Sequence, residues 1–176
     1  MGEESNKVID LHIGESMKTF RLQDGYSEQE LLHSAVDHLA SAKILFNNNA
    51  RCFDSAGYLS QLGIELVLKA FLLNKTGQFP DKLSLIYLSD SIEEQGLNLN
   101  YTTAHKEILT TLDEFYELRY PSASNSAEIG EDDWERIEAL FEHLILLLPT
   151  SIQQDLRKID HSCKGKRILM MKKKDV

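Results

Sequence analysis

Cysteine, proline and glycine are all scarce in this chain of 176 residues, which holds two, three and nine of them. Cys52 and Cys163 lie far apart, which excludes a disulfide framework and the close paired spacings of a zinc site. The glycines never cluster, so no loop cradles phosphates. Gly63-Ile64-Glu65 sits inside a helical pattern and is no nucleophile elbow. Apolar runs are short: the stretch from Leu144 to Pro149 is far below the roughly 20 residues of a membrane span, and no membrane partner is expected. The opening MGEESNKVID is acidic and has neither a basic nor a greasy stretch. No secretory signal is therefore expected, and a cytoplasmic location is. Histidines at ligand spacing are missing as well. His33 and His38 do not share a helix face, and His12, His105 and His161 have no partner nearby in sequence, so neither metal nor cofactor is expected.

Charge is unevenly spread. Between Arg157 and Lys174 eight basic residues face one acidic residue, a local +7 that leaves −16 on the remainder of a chain whose net charge is −9. An acidic body repels polyanions overall, whereas the basic tail can hold phosphates through salt-sensitive contacts or stand as a solvated end. The expected organisation is an N-terminal arm or hairpin over residues 1–25, a helical body over 26–150 and a basic tail over 151–176. In the arm, Ile9, Leu11 and Ile13 alternate with polar residues. Gly14-Glu15-Ser16 offers a turn, and Met17, Phe20 and Leu22 follow. A two-stranded ribbon is marginal alone, so the arm must lie on the helical body or on a second copy.

From Ser27 the periodicity becomes helical. Ser27 and Glu30 form a capping box, and a first helix runs to about Phe46 with Leu31, Leu32, Ala35, Val36, Leu39, Ala42 and Phe46 inward. A second follows from Asp54 to Leu73 and stops near Gly77 and Pro80. A third, over Asp81 to Gln95, would turn Leu83, Ile86, Tyr87 and Ile92 inward and end at Gly96. A fourth, from Thr102 to Tyr120, buries Ile108, Leu112, Phe115 and Tyr116 before Pro121. A fifth, from Asp132 to Leu148, buries Trp134, Ile137, Phe141, Leu144 and Leu148 before Pro149. The predicted fold is all-α, an antiparallel up-and-down bundle of four to five helices.

The second helix is apolar on every side but one. Asp54, Tyr58, Gln61, Glu65 and Lys69 step along a single stripe. In a buried helix such a stripe is either a hydrogen-bonded seam or the wall of a ligand groove, because unpartnered buried polar groups cost roughly 1–3 kcal/mol each. Gln61, Glu65 and Lys69 are therefore candidate ligand-binding residues as well as candidate seam residues.

FDSAGYLSQLGIELVLKAFLL (53–73) followed by LDEFYELRYPSAS (112–124) resembles the HEPN family, helical nucleotide-binding domains of higher eukaryotes and prokaryotes, over about Ser27 to Leu148. The resemblance implies a bundle that often dimerises, commonly beside a small nucleotidyltransferase in toxin–antitoxin or defence systems. A homodimer, a nucleotidyltransferase partner and a nucleotide or RNA ligand are the expectations it carries. The ribonuclease members pair an arginine with a histidine across a spacer of four to six residues, to activate a 2′-hydroxyl and stabilise charge on the phosphate without metal. Arg119 matches that arginine, but positions 124–126 read Ser-Asn-Ser. The motif histidine is missing, as is the family's His-Asp-Leu, where residues 82–85 read Lys-Leu-Ser-Leu. A non-catalytic binding module is therefore expected, with a metal-independent ribonuclease as the alternative and Arg119 and His143 as its candidate catalytic residues. Arg136 and His143 are also separated by six residues, and so stand seven apart and roughly 10 Å along one helix face, but at the wrong place in the family pattern. Tyr116 and Arg119, three apart, join the ligand-binding candidates. Arg119 suits either a stack on Tyr116 or a phosphate contact.

Overall fold

A computed structural model describes residues 18–48, 52–119, 128–130, 132–154 and 156. Its helices are α1 (Glu28–Asn48), α2 (Phe53–Thr76), α3 (Leu85–Glu94), α4 (Thr103–Asp113) and α5 (Asp133–Leu147), with two short strands, β1 (Thr19–Arg21) and β2 (Gln78–Pro80). A 3-10 turn over Leu22–Asp24 precedes α1, and a 3-10 segment over Glu114–Arg119 extends α4. The all-α reading holds.

Local chemistry sets the helix ends. The Glu30 backbone N–H donates to Ser27 Oγ at 3.2 Å, while the Ser27 hydroxyl donates to the Glu30 carboxylate at 3.0 Å; the box closes side chain to side chain. Gly77 stops α2 at φ +75°, its N–H donating to the Leu73 carbonyl, and Gly96 takes φ +81° after α3. Both adopt the left-handed geometry that favours glycine. Thr102 caps α4 by accepting from the His105 N–H. Beyond α5, the Gln153 side chain donates to the carbonyls of Leu146 and Leu148 at 3.2 and 2.7 Å and so satisfies acceptors that the helix end leaves open.

Contacts between helix ends give the directions. Asn74 donates to Glu28 while Phe46 stacks on Phe53 at 5.5 Å, so α1 and α2 run antiparallel. Ser89 meets Tyr101 while Ser84 meets Asp113, so α3 and α4 do too. His105 meets His143 while Glu107 meets Arg136, which gives the same answer for α4 and α5. Lys43 reaches Glu138 at 2.7 Å, and Phe46 packs on Trp134, closing α1 against α5. The α1–α2 pair forms the most extensive contact. Two glycines of α2 make close approach possible. A Cβ on Gly63 would stand 2.7 Å from Leu39 Cγ and 3.2 Å from the Ala35 carbonyl oxygen, and one on Gly57 would stand 2.3 Å from the Phe115 ring.

Two expectations need correction. In α3 the inward residues are Leu85, Leu88, Ser89 and Ile92, whereas Ile86 and Tyr87 are exposed. The helix starts at Leu85 rather than Asp81, and the face set by its Ser84 cap is rotated by about one residue. The fourth helix ends at Asp113 and tightens into the 3-10 segment, which keeps Phe115 fully buried and Tyr116 partly so. The N-terminal arm is partly described. Thr19–Arg21 pairs antiparallel with Gln78–Pro80, with Phe20 opposite Phe79, so this portion lies on the helical body, and Phe20, Tyr26 and Phe79 form an aromatic cluster at ring distances of 5.0–5.5 Å. Residues 7–17 of the expected hairpin, residues 121–127 of the loop after Arg119 and residues 157–176 of the basic tail lie outside the described residues.

α2 is long and apolar enough to cross a membrane by length and composition, but 78% of its most apolar window is buried inside the protein. That burial is what a central core helix shows.

Candidate functional site

The polar stripe of α2 divides. Asp54 is exposed and Tyr58 half-buried, whereas Gln61, Glu65 and Lys69 are buried, at 1%, 3% and 6% exposure. These three form one network. Lys69 Nζ donates to Glu65 Oε1 at 2.6 Å, and Gln61 Nε2 lies 3.2 Å from Glu65 Oε2 and 2.9 Å from the Leu83 carbonyl oxygen. The Lys69 ammonium also stands 5.7 Å above the Phe79 ring. Both carboxylate oxygens are therefore occupied from within the helix, and the amide of Gln61 ties the seam to the segment leading into α3. The arrangement suits a structural role: a desolvated ion pair persists only when its remaining hydrogen-bonding capacity is met.

A second cluster was not legible in the spacing of the histidines. His105, in the first turn of α4, and His143, near the end of α5, bring their rings to 4.5 Å. Tyr101 stands 6.3 and 6.1 Å from them. His143 Nε2 lies 2.7 Å from the Leu99 carbonyl oxygen. A carbonyl only accepts, so this nitrogen carries a proton and donates. His105 Nδ1 is buried and has no hydrogen-bond partner among the described residues. Burial, and then the neighbouring His143, hold His105 below the usual histidine range. Burial also pushes the Tyr101 phenol up to about 12; the Ser89 hydrogen bond works against the rise and the Glu93 carboxylate adds to it. The result is a pair of imidazoles in which double protonation is penalised. Among the described residues no group of three or more histidine, cysteine or acidic side chains is placed to hold a metal.

Arg136 and His143 hold different partners. Arg136 is fixed by ion pairs to Asp133 and Glu107, both at 2.9 Å, while His143 turns to Leu99 and His105. The other candidates lie on the 3-10 segment. Tyr116 is half-buried. The backbone of Arg119 ends the segment, three residues on and so one 3-10 turn away; its side chain lies outside the described structure.

That segment is anchored at two points. Phe115 fills the notch left by Gly57 of α2. Asp113 reaches the start of α3, where Ser84 Oγ donates to its Oδ2 at 3.0 Å and the Leu85 backbone N–H donates to its Oδ1. Ser84 in turn accepts from the Tyr87 N–H. One carboxylate and one hydroxyl thereby satisfy the opening N–H groups of α3, where negative charge is also favoured by the helix dipole.

No curated protein and no solved structure matches the chain. The family model of the HEPN domain matches residues 28–148, from the first residue of α1 to Leu148, which follows the last residue of α5. The matched span takes in the buried α2 seam, the 3-10 segment that ends at Arg119 and helices α1 to α5, and the chain belongs to the HEPN domain family.

Proposed function

We propose that this protein is a non-catalytic HEPN module that binds a nucleotide or RNA, with Arg119 at the binding edge beside the 3-10 segment. The observation that carries the reading is the absence of a base where the family's ribonucleases need one. Residues 124–126 are Ser-Asn-Ser, and the one substitute pairing singled out by spacing is spoken for, since Arg136 is held by Asp133 and Glu107 and His143 by Leu99. The buried Gln61, Glu65 and Lys69 satisfy one another, which favours the seam over the groove. In the same reading the module works as a homodimer and pairs with a nucleotidyltransferase in a toxin–antitoxin or defence setting.

One observation favours a metal-independent ribonuclease instead. His105 and His143 form a close pair in which His105 stays neutral near neutral pH, as a general base must be. A gel assay with labelled single-stranded RNA in EDTA separates the two readings, using wild type, Arg119→Ala and His143→Ala. Binding without cleavage is expected, weakened in Arg119→Ala and by added salt. Cleavage that either variant abolishes would replace the binding module with the nuclease.

A further inference from the structure

Asp113 occupies an unusual place for a carboxylate at the end of a helix, where the dipole disfavours negative charge. It is partly buried, belongs to α4 by sequence, and yet spends both oxygens on α3: Oδ2 on the Ser84 hydroxyl and Oδ1 on the Leu85 N–H. The next residues are the 3-10 segment itself. Phe115, with no exposed surface, packs where a Cβ on Gly57 would collide with its ring. The junction is thus held to α3 by charge-assisted hydrogen bonds and to α2 by a buried ring, and the same segment ends at Arg119 one short helix later.

We infer that Asp113 is a positioning residue: its clamp on the start of α3 sets the path of the Glu114–Arg119 segment and so delivers Arg119 to the ligand. The inference rests on the reading of Arg119 as a phosphate contact, but the clamp itself is tested without any ligand. Neutralising Asp113 as asparagine keeps an oxygen for the Leu85 N–H and an amide for Ser84 Oγ, whereas alanine leaves both α3 groups without it. The clamp acts at a distance of six residues, so its effect on binding must pass through Arg119 rather than add to it.

Amide hydrogen exchange on the full chain measures the clamp. Asp113→Ala is expected to speed exchange over residues 114–119 and at Leu85 and Tyr87 by about tenfold or more, with the α1–α2 amides little changed, and Asp113→Asn to restore most of the protection. Unchanged exchange over 114–119, or an equal acceleration along the whole chain, overturns the inference. The RNA gel assay supplies the link to function. Asp113→Ala is expected to weaken the shift in wild type and to have no further effect in an Arg119→Ala background, whereas losses that multiply in the double variant overturn positioning through Arg119. If Arg119→Ala alone leaves the shift intact, the binding-edge reading falls and delivery of Arg119 to RNA falls with it, while the exchange result still decides whether Asp113 holds the segment.

Discussion

Glu65 and Lys69 show most directly how much can depend on two side chains. Each is almost fully buried and each is the other's counter-charge at 2.6 Å. Removing one partner leaves an uncompensated charge inside the core, a loss of about 3–5 kcal/mol, whereas replacing both with apolar residues of similar size is often close to neutral. Urea denaturation is expected to show Glu65→Ala strongly destabilised and Glu65→Leu combined with Lys69→Met near wild type. A ligand-binding role for the stripe would instead appear as lost affinity in the stable double variant. The histidine pair makes a pH prediction. Because His105 is held below its unfolded value of about 6.5, the folded protein resists taking up that proton. The associated stability is present above that pH and is lost as pH falls through the lower folded value. The midpoint of urea unfolding should therefore drop on acidification below about 6.5, less steeply in His105→Gln. Tyr101 works in the other direction. Its phenol is raised to about 12, so its contribution holds below the unfolded value of about 10 and fades as pH rises from there to about 12. Tyr101→Phe should remove that alkaline component.

Among the elements, α2 was the most legible in sequence, because its apolar positions leave a polar stripe one residue wide and Gly77 marks its end. Helices α1, α4 and α5 likewise announced themselves, α1 through its capping box and all three through inward residues that proved buried, such as Leu32, Leu39, Ile108, Ile137 and Leu144. α3 was misphased. Ten residues supply too few apolar positions to define a face, and the helix start is set by Asp113, 28 residues away in sequence from Leu85. The Asp113 clamp and the His105–His143 contact were invisible for the same reason: each is made between segments whose separation carries no periodic signal. The 3-10 tightening after Asp113 was also missed, and its cause is packing, since Phe115 must drop into the space above Gly57. Gly57→Ala should accordingly destabilise the bundle by about 1–3 kcal/mol despite the better helix propensity of alanine, as read by thermal melting. Reducing Phe115 to leucine in the same chain should recover part of the loss; no recovery would mean that the notch is not what ties the segment to α2.

For the whole molecule, sequence periodicity was enough to predict a helical bundle, and the family match spans helices α1 to α5. Function was less legible, because Arg119 is followed by Ser124, Asn125 and Ser126 where a catalytic histidine would stand. The small sheet has a topological effect on that bundle. Since Thr19 lies opposite Pro80 and Arg21 opposite Gln78, the chain returns after α2 to where it set out before α1, and the longest helical hairpin becomes a closed circuit fastened at its neck. Parting α1 from α2 at that end therefore requires the pairing of residues 19–21 with residues 78–80 to part as well.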